Sequence, residues 1–354
     1  MKRVSAIIIL ATIIMTLFSV PATANPTNYL VEDFTDIINA DGTQHWAYDQ
    51  MSELIAMGIL KGFDGGMVWD DQLGQAFQAQ KALPDKKITR AEFAVLLYQT
   101  FNLTPQTPPV NFTDTIPKWA TDAVNTLAAA GIIKGDPTGT FRPNDNISRA
   151  EIATMIVQSL NDKSEQKGKS FWDLPNQDSH WAYPFIEKAS AIGVINGLPD
   201  GSFAPNSNAK RAEALTMLYN YLLKDKTLAP DDRVLLDRSD AMLKAMEAGI
   251  DREGTSVDLS AAEPFLTGRE QTTMDDSIDY LNEMKQNVTL NYQVTYPGKV
   301  VSKSDRWAEV TYETLITVQA GGQKQEQHAK EHYYLMKMGN DWYIYADDLE
   351  DLNQ

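Results

Sequence analysis

The chain contains no cysteine. That excludes disulfides, thiolate metal sites and the cysteine-linked lipid of a lipoprotein. Histidine is scarce, four residues in 354, and basic side chains are outnumbered, 31 Lys and Arg against 48 Asp and Glu. A net charge of −17 repels nucleic acid and anionic lipid, so an anionic ligand must be caught by local cations against the average field. Low-complexity stretches are missing, and so are long apolar runs, apart from one between Val4 and Val20.

That run follows Met1-Lys2-Arg3 and precedes Pro21-Ala22-Thr23-Ala24. A charged start, an apolar middle and a small-x-small site make residues 1–24 a secretory signal peptide, with cleavage expected after Ala24. The run is near the lower limit for a spanning helix, but the Ala-x-Ala site favours removal. Losing Lys2 and Arg3 takes the charge from −17 to −19, and from Asp231 onward 24 acidic residues face 12 basic ones. The length supports two or more separately buried cores.

What the chain does contain is a threefold internal repeat. The first copy holds Phe34-Thr-Asp36, His45-Trp46-Ala47, Gly58-Ile-Leu-Lys-Gly62 and Ile88-Thr89-Arg90-Ala91-Glu92. The second holds Phe112-Thr-Asp114, Trp119-Ala120, Gly131-Ile-Ile-Lys-Gly135 and Ile147-Ser148-Arg149-Ala150-Glu151. The third holds Phe171-Trp-Asp173, His180-Trp181-Ala182, Gly193-Val-Ile-Asn-Gly197 and Ala209-Lys210-Arg211-Ala212-Glu213. Trp to the first Gly is 12 residues in every copy, and the second Gly to Arg is 14 in the later two but 28 in the first. Repeat one thus spans 31–102 with an insertion near 71–86, repeat two 109–161 and repeat three 168–224.

Each unit reads as helix, loop, helix. Trp119, Ala123, Val124, Leu127 and Ala128 share one helical face, Gly131 stops that helix, and Gly135 to Asn144 is too rich in turn formers to continue it. The second helix opens on a capping box, Ser148-Arg-Ala-Glu151 or Thr89-Arg-Ala-Glu92. Lys210 replaces the capping hydroxyl in repeat three, at an expected cost of roughly 1 kcal/mol. Each Arg is therefore placed on a first helical turn, beside backbone N–H groups expected to be unpaired, a corner suited to a carboxylate or phosphate. Each Trp opens an amphipathic helix, where core packing is the expected role.

This Phe-x-Asp, Trp-Ala, Gly-Ile-x-x-Gly, Thr-Arg-Ala-Glu series resembles the S-layer homology (SLH) domain family over about residues 31–224. The resemblance implies an all-α, pseudo-threefold spindle whose inter-repeat grooves bind secondary cell-wall polysaccharide through a pyruvylated N-acetylmannosamine. It further implies that Arg90, Arg149 and Arg211 pair with the acidic sugar. Trp46, Trp119 and Trp181, with Asp36, Asp114 and Asp173, would line or shape the grooves.

After a polar linker at 225–232 the pattern changes. Asp240–Gly249 and Met274–Gln286 read as helices, and Ser260–Leu266 as a short one. Period two then takes over in Thr289–Tyr296, Trp307–Gln319, Gln325–Met338 and Trp342–Ala346, separated by Pro297-Gly298, Gly321-Gly322 and Gly339-Asn-Asp. Residues 233–354 are thus expected to be a small α+β domain with a curved antiparallel sheet. The ending Tyr333 to Tyr345 resembles the last hairpin of nuclear-transport-factor-two-like cone folds.

His328-Ala-Lys-Glu331-His332 spells a zinc-protease pattern that works only on a helix. In a strand the two histidines stand roughly 13 Å apart and cannot share a metal. No Ser/His/Asp set, phosphate loop or calcium loop is evident, so no catalytic residue, metal or cofactor is assigned. The expected function is an exported, wall-anchored protein displaying a binding module. The rivals are a tethered enzyme with its pocket in the C-terminal domain and a lattice-forming surface-layer protein.

Overall fold

A computed structural model describes residues 34–39, 41–70, 75–101, 112–160, 167–224, 226, 229–250, 258–271, 274, 288–320 and 322–352. The expected signal peptide, most of the expected helix at 274–286 and part of the expected linker lie outside these residues.

The repeats build α1 (Tyr48–Ala56) and α2 (Arg90–Phe101), α3 (Thr121–Ala129) and α4 (Arg149–Ser159), and α5 (Tyr183–Ala191) and α6 (Arg211–Lys224). The first helix of each pair ends at Gly58, Gly131 or Gly193, whose φ of +71°, +74° and +77° only glycine adopts without strain. The chain then doubles back, and Ile59, Ile132 and Val194 donate N–H bonds of 2.9 Å to Leu54, Leu127 and Ala189. The second helix of repeat two carries the complete capping box, Ser148 with Glu151. Lys210 has no hydroxyl to offer, yet its N–H still donates to Glu213 at 2.7 Å, while its side chain reaches Asp85 of repeat one.

A ring of backbone bonds joins the three repeats. Ile147 donates to Ile88 at 3.0 Å, Ala209 to Ile147 at 3.0 Å, and Ile88 to Ala209 at 3.2 Å, so the last repeat closes on the first. All three residues are fully buried, as are Ala91 and Ala212, with Ala150 almost so; small side chains let the second helices converge.

The all-α expectation for this region is overturned by a two-stranded antiparallel sheet in repeat one, β1 (Phe63–Asp70) with β2 (Gln75–Lys81). The added residues fall before Ala82, which aligns with Phe141, so the insertion lies earlier than the expected 71–86 and is built from β1 and β2. It also supplies a missing ring. Ala82 holds the place of Phe141 and Phe203 in the other repeats, and Phe63 brings a ring beside Arg211 where those two lie beside Arg90 and Arg149.

The C-terminal domain has α7 (Asp232–Gly249) across a meander of β3 (Val288–Lys303), β4 (Trp307–Ala320), β5 (Gln323–Met338) and β6 (Asp341–Asp351). Leu235, Met242, Leu243 and Met246 pack with Val310, Tyr312, Tyr333, Leu335 and Ile344. Ser260–Leu266 contributes one 3₁₀ turn, Glu263–Phe265. Pro297-Gly298, expected to separate strands, instead lies inside β3 at a register shift that bends it. Gly298 fits there because the Tyr312 ring covers it; a Cβ would come within 2.4 Å of that ring.

The two domains share packing. Tyr334, Met336, Tyr345 and Ala346 join the core of the repeats. The Tyr345 hydroxyl donates to Glu53 Oε2 at 2.9 Å, Ser304 Oγ donates to Leu222 O at 2.5 Å, and the Arg306 guanidinium lies 4.1 Å from the Phe101 ring.

Candidate functional site

The three arginines lie at matching places between consecutive repeats. Each has 4–5% of its surface exposed. Arg90 Nε donates to Phe141 O at 2.8 Å and its NH1 meets Glu151 at 2.7 Å. Arg149 Nε donates to Phe203 O at 2.7 Å and its NH1 meets Glu213 at 3.0 Å. Arg211 Nε donates to Ala82 O at 2.8 Å. Burial works against the charge of all three, and carboxylates of a neighbouring repeat offset it, Glu151 for Arg90, Glu213 for Arg149 and Glu92 for Arg211.

The expected open helix corner is not there. Arg90, Arg149 and Arg211 donate their backbone N–H groups to Asp145, Ser207 and Lys86, and Ala91, Ala150 and Ala212 donate theirs to Pro143, Pro205 and Pro84. Closing the ring of repeats satisfies the helix starts that the sequence left open. Arg211 differs in one respect: Glu92 is engaged by Lys86 at 3.2 Å, and among the described residues no carboxylate lies in ion-pair range of Arg211.

The tryptophans overturn the packing expectation. Trp46, Trp119 and Trp181 are 61%, 59% and 61% exposed, while the alanine after each is completely buried. In repeats one and three the neighbouring imidazole faces the indole at 5.4 Å, and its Nδ1 accepts the N–H of Ala47 or Ala182.

Asp36, Asp114 and Asp173 each grip two successive backbone N–H groups, of Ala82 and Leu83, Phe141 and Arg142, and Phe203 and Ala204, at 2.7–2.9 Å. The second residue of each pair is non-glycine at positive φ, +51° at Leu83, +60° at Arg142 and +55° at Ala204. Two bonds to one carboxylate offset that strain and hold the carbonyls that receive the arginines.

The zinc-like pattern lies in β5, with Glu331 fully buried on the opposite face from His328 and His332. Sequence reasoning missed what surrounds Glu331. The Tyr292 hydroxyl donates to it at 2.6 Å, Thr314 Oγ1 at 3.2 Å, and Tyr333 also donates. Glu270 and Asp347 are buried too, at 2% and 1% exposure. Burial pushes Glu331 up to about 7 against the pull of its tyrosine donors, and burial beside Asp347 raises Glu270 as well. The sequence placed Glu331 in a strand, but nothing in it brought Glu270 near it.

Among known proteins, a 34% identical stretch of 152 residues is shared with cell surface glycoprotein 1 of Acetivibrio thermocellus, covering 38% of this chain and 6% of that one. The cellulosome-anchoring protein of the same organism is 33% identical over 45% of this chain and 34% of its own length. S-layer protein EA1 of Bacillus anthracis is 25% identical over 77% of this chain and 29% of its own. The chain spans between 6% and 16% of the length of the first three curated relatives. A ketosteroid isomerase-like structure from Erwinia carotovora aligns with 35% of this chain and 98% of its own at 16% identity and a TM-score of 0.25. The S-layer homology domain model matches residues 111–153 and 173–215, and residues 34–101 carry the same arginine, aspartate and exposed-indole contacts. In those two segments the chain is similar to the S-layer homology domain.

Proposed function

We propose that the repeats hold an exported protein non-covalently on a bacterial cell wall by binding its secondary polysaccharide. The observation that carries this is the threefold recurrence of an indole about 60% exposed at one position of the repeat. A soluble domain gains nothing from three solvent-facing tryptophans at equivalent places, whereas a pyranose face gains a flat apolar platform. Arg90, Arg149 and Arg211 place cationic side chains at the corners between repeats, suited to an acidic sugar such as a pyruvylated one. The corner of Arg211 is favoured, because among the described residues no carboxylate is in ion-pair range of that guanidinium and Glu92 acts on it only from further away. The relatives named for the cell surface, the S-layer and cellulosome anchoring support the same location.

The helix geometry supports display. The arginines open α2 and α6, while Phe101 and Leu222, near the other ends, touch the C-terminal domain. At 1.5 Å per residue the separation is roughly 16 Å, so the wall and the displayed domain meet different faces. The test is co-sedimentation of the signal-free chain with purified wall sacculi. Binding is expected to fall when the polysaccharide is stripped or Trp46, Trp119 and Trp181 are all replaced by Ala; full retention on stripped walls overturns the reading.

A second reading rests on Glu331. A buried carboxyl held near neutral pH beside two tyrosine hydroxyls is suited to proton transfer, which would make the C-terminal domain a tethered enzyme. A small-molecule fragment that shifts the Glu331 titration by NMR supports it; an unchanged titration across a fragment set overturns it.

A further inference from the structure

In its opening Phe-x-Asp motif, repeat three carries an aromatic that the other two lack. Between the buried Phe and the loop-gripping Asp, repeats one and two have Thr35 and Thr113, and repeat three has Trp172. Its indole is 68% exposed, the highest value among the exposed large apolar side chains described. Core packing does not account for it.

Loop architecture does not account for it either. In repeat two the Thr113 hydroxyl donates to Thr138 O at 3.4 Å, and in repeat three Trp172 Nε1 donates to Asp200 O, the equivalent carbonyl, at 3.1 Å. Trp172 therefore makes the bond that threonine already makes, and adds a ring. The ring is restrained: its Nε1 is tied to the Asp200 carbonyl and its chain neighbours are held. Phe171 is buried against Phe203 at 5.6 Å, and Asp173 binds the Phe203 and Ala204 N–H groups. A rigid aromatic face presented to water loses little conformational freedom on binding.

The position matters as well. Phe203, held by Asp173, offers its carbonyl to Arg149, so Trp172 is one residue from the carboxylate that shapes that corner.

We propose that Trp172 is a stacking platform for an uncharged pyranose ring of the wall polysaccharide, beside the Arg149 corner and specific to repeat three. This rests on the reading of the repeats as a polysaccharide-binding anchor. Asp173 and Asp200 beside it disfavour an anionic unit, while the apolar face of a neutral sugar matches an indole.

The test uses the full signal-free chain and polysaccharide released from purified walls, with Kd measured by calorimetry. Trp172→Thr restores the residue that the other repeats use and keeps a donor for Asp200 O. It is expected to weaken binding about fivefold to tenfold with an unchanged melting temperature, in line with a single aromatic contact. Trp172→Phe, which keeps a ring but not the N–H, is expected to retain most of the affinity. Equal binding by wild type and Trp172→Thr overturns the proposal and leaves the anchor reading intact. Loss of binding by Trp172→Phe with full retention by Trp172→Thr also overturns it, since the hydrogen bond rather than the ring face would then matter. Absence of binding by the wild type overturns both readings.

Discussion

A side chain repeated three times can serve the ligand, the fold or both, and burial separates the cases. The arginines have all but a few per cent of their surface covered and bind carbonyls of the next repeat, so they are part of what holds the ring closed. Arg149→Gln leaves Glu213 without its cation in a mostly covered site, and a loss of about 3 kcal/mol is expected by urea denaturation. Neutralising all three arginines would therefore abolish attachment by unfolding the anchor. The exposed tryptophans are the cleaner test of binding, because removing them opens no core.

Glu331 makes a second residue-scale case. Its folded pKa of about 7 lies above the unfolded value near 4.5, so the folded state binds more protons between those values. The stabilisation from the neutral carboxyl is complete below pH 4.5 and is lost as pH rises through 7; buried Glu270 is shifted in the same direction. The C-terminal domain is expected to be more stable at pH 5 than at pH 8, by on the order of 3 kcal/mol from Glu331. Chemical denaturation at the two pH values measures this, and Glu331→Gln should flatten the difference. Asp41 and Asp200, lowered by hydrogen bonds from their own turns, act in the opposite sense but only in the acid range below that window.

At the scale of elements, the hairpin of repeat one compensates for Ala82. Phe63 places its ring 4.8 Å from Arg211, against 5.0 Å for Phe141 to Arg90 and Phe203 to Arg149. Phe63→Ala is expected to cost roughly 1–2 kcal/mol through the lost cation–π contact and packing. If the replacement is as direct as the geometry shows, adding Ala82→Phe in the same chain should recover part of that loss, whereas Ala82→Phe alone should crowd the ring already present. Thermal melting of the three variants distinguishes the outcomes. The helix pairs were legible because Trp, Gly and Arg recur at fixed distances. The hairpin was not, since a single interrupted copy has no second example to compare with.

For the whole molecule, the contact between the domains decides whether the chain unfolds in one step. Gly268 sits at φ +58°, with a Cβ position 2.2 Å from the Ala56 carbonyl oxygen at the end of α1. Gly268→Ala can be accommodated only by backing the C-terminal domain away from the repeats. Calorimetry is expected to show one transition for the wild type and two for this variant, with the order of unfolding set by pH through Glu331.

Local chemistry in the sequence by itself determined the repeat, its helix starts and stops, the four-stranded meander and the strand setting of the zinc-like pattern. These depend on turn formers, capping pairs and periodicity, which act over a few residues. The tertiary structure alone decided that the arginines are enclosed, that the helix-start N–H groups are bonded, and that three tryptophans face water. It also gathered Glu331, Glu270 and Asp347. Each of those outcomes follows from closing residue 88 onto 209 or from folding distant segments over a sheet, and no local pattern encodes which side chains such closures cover.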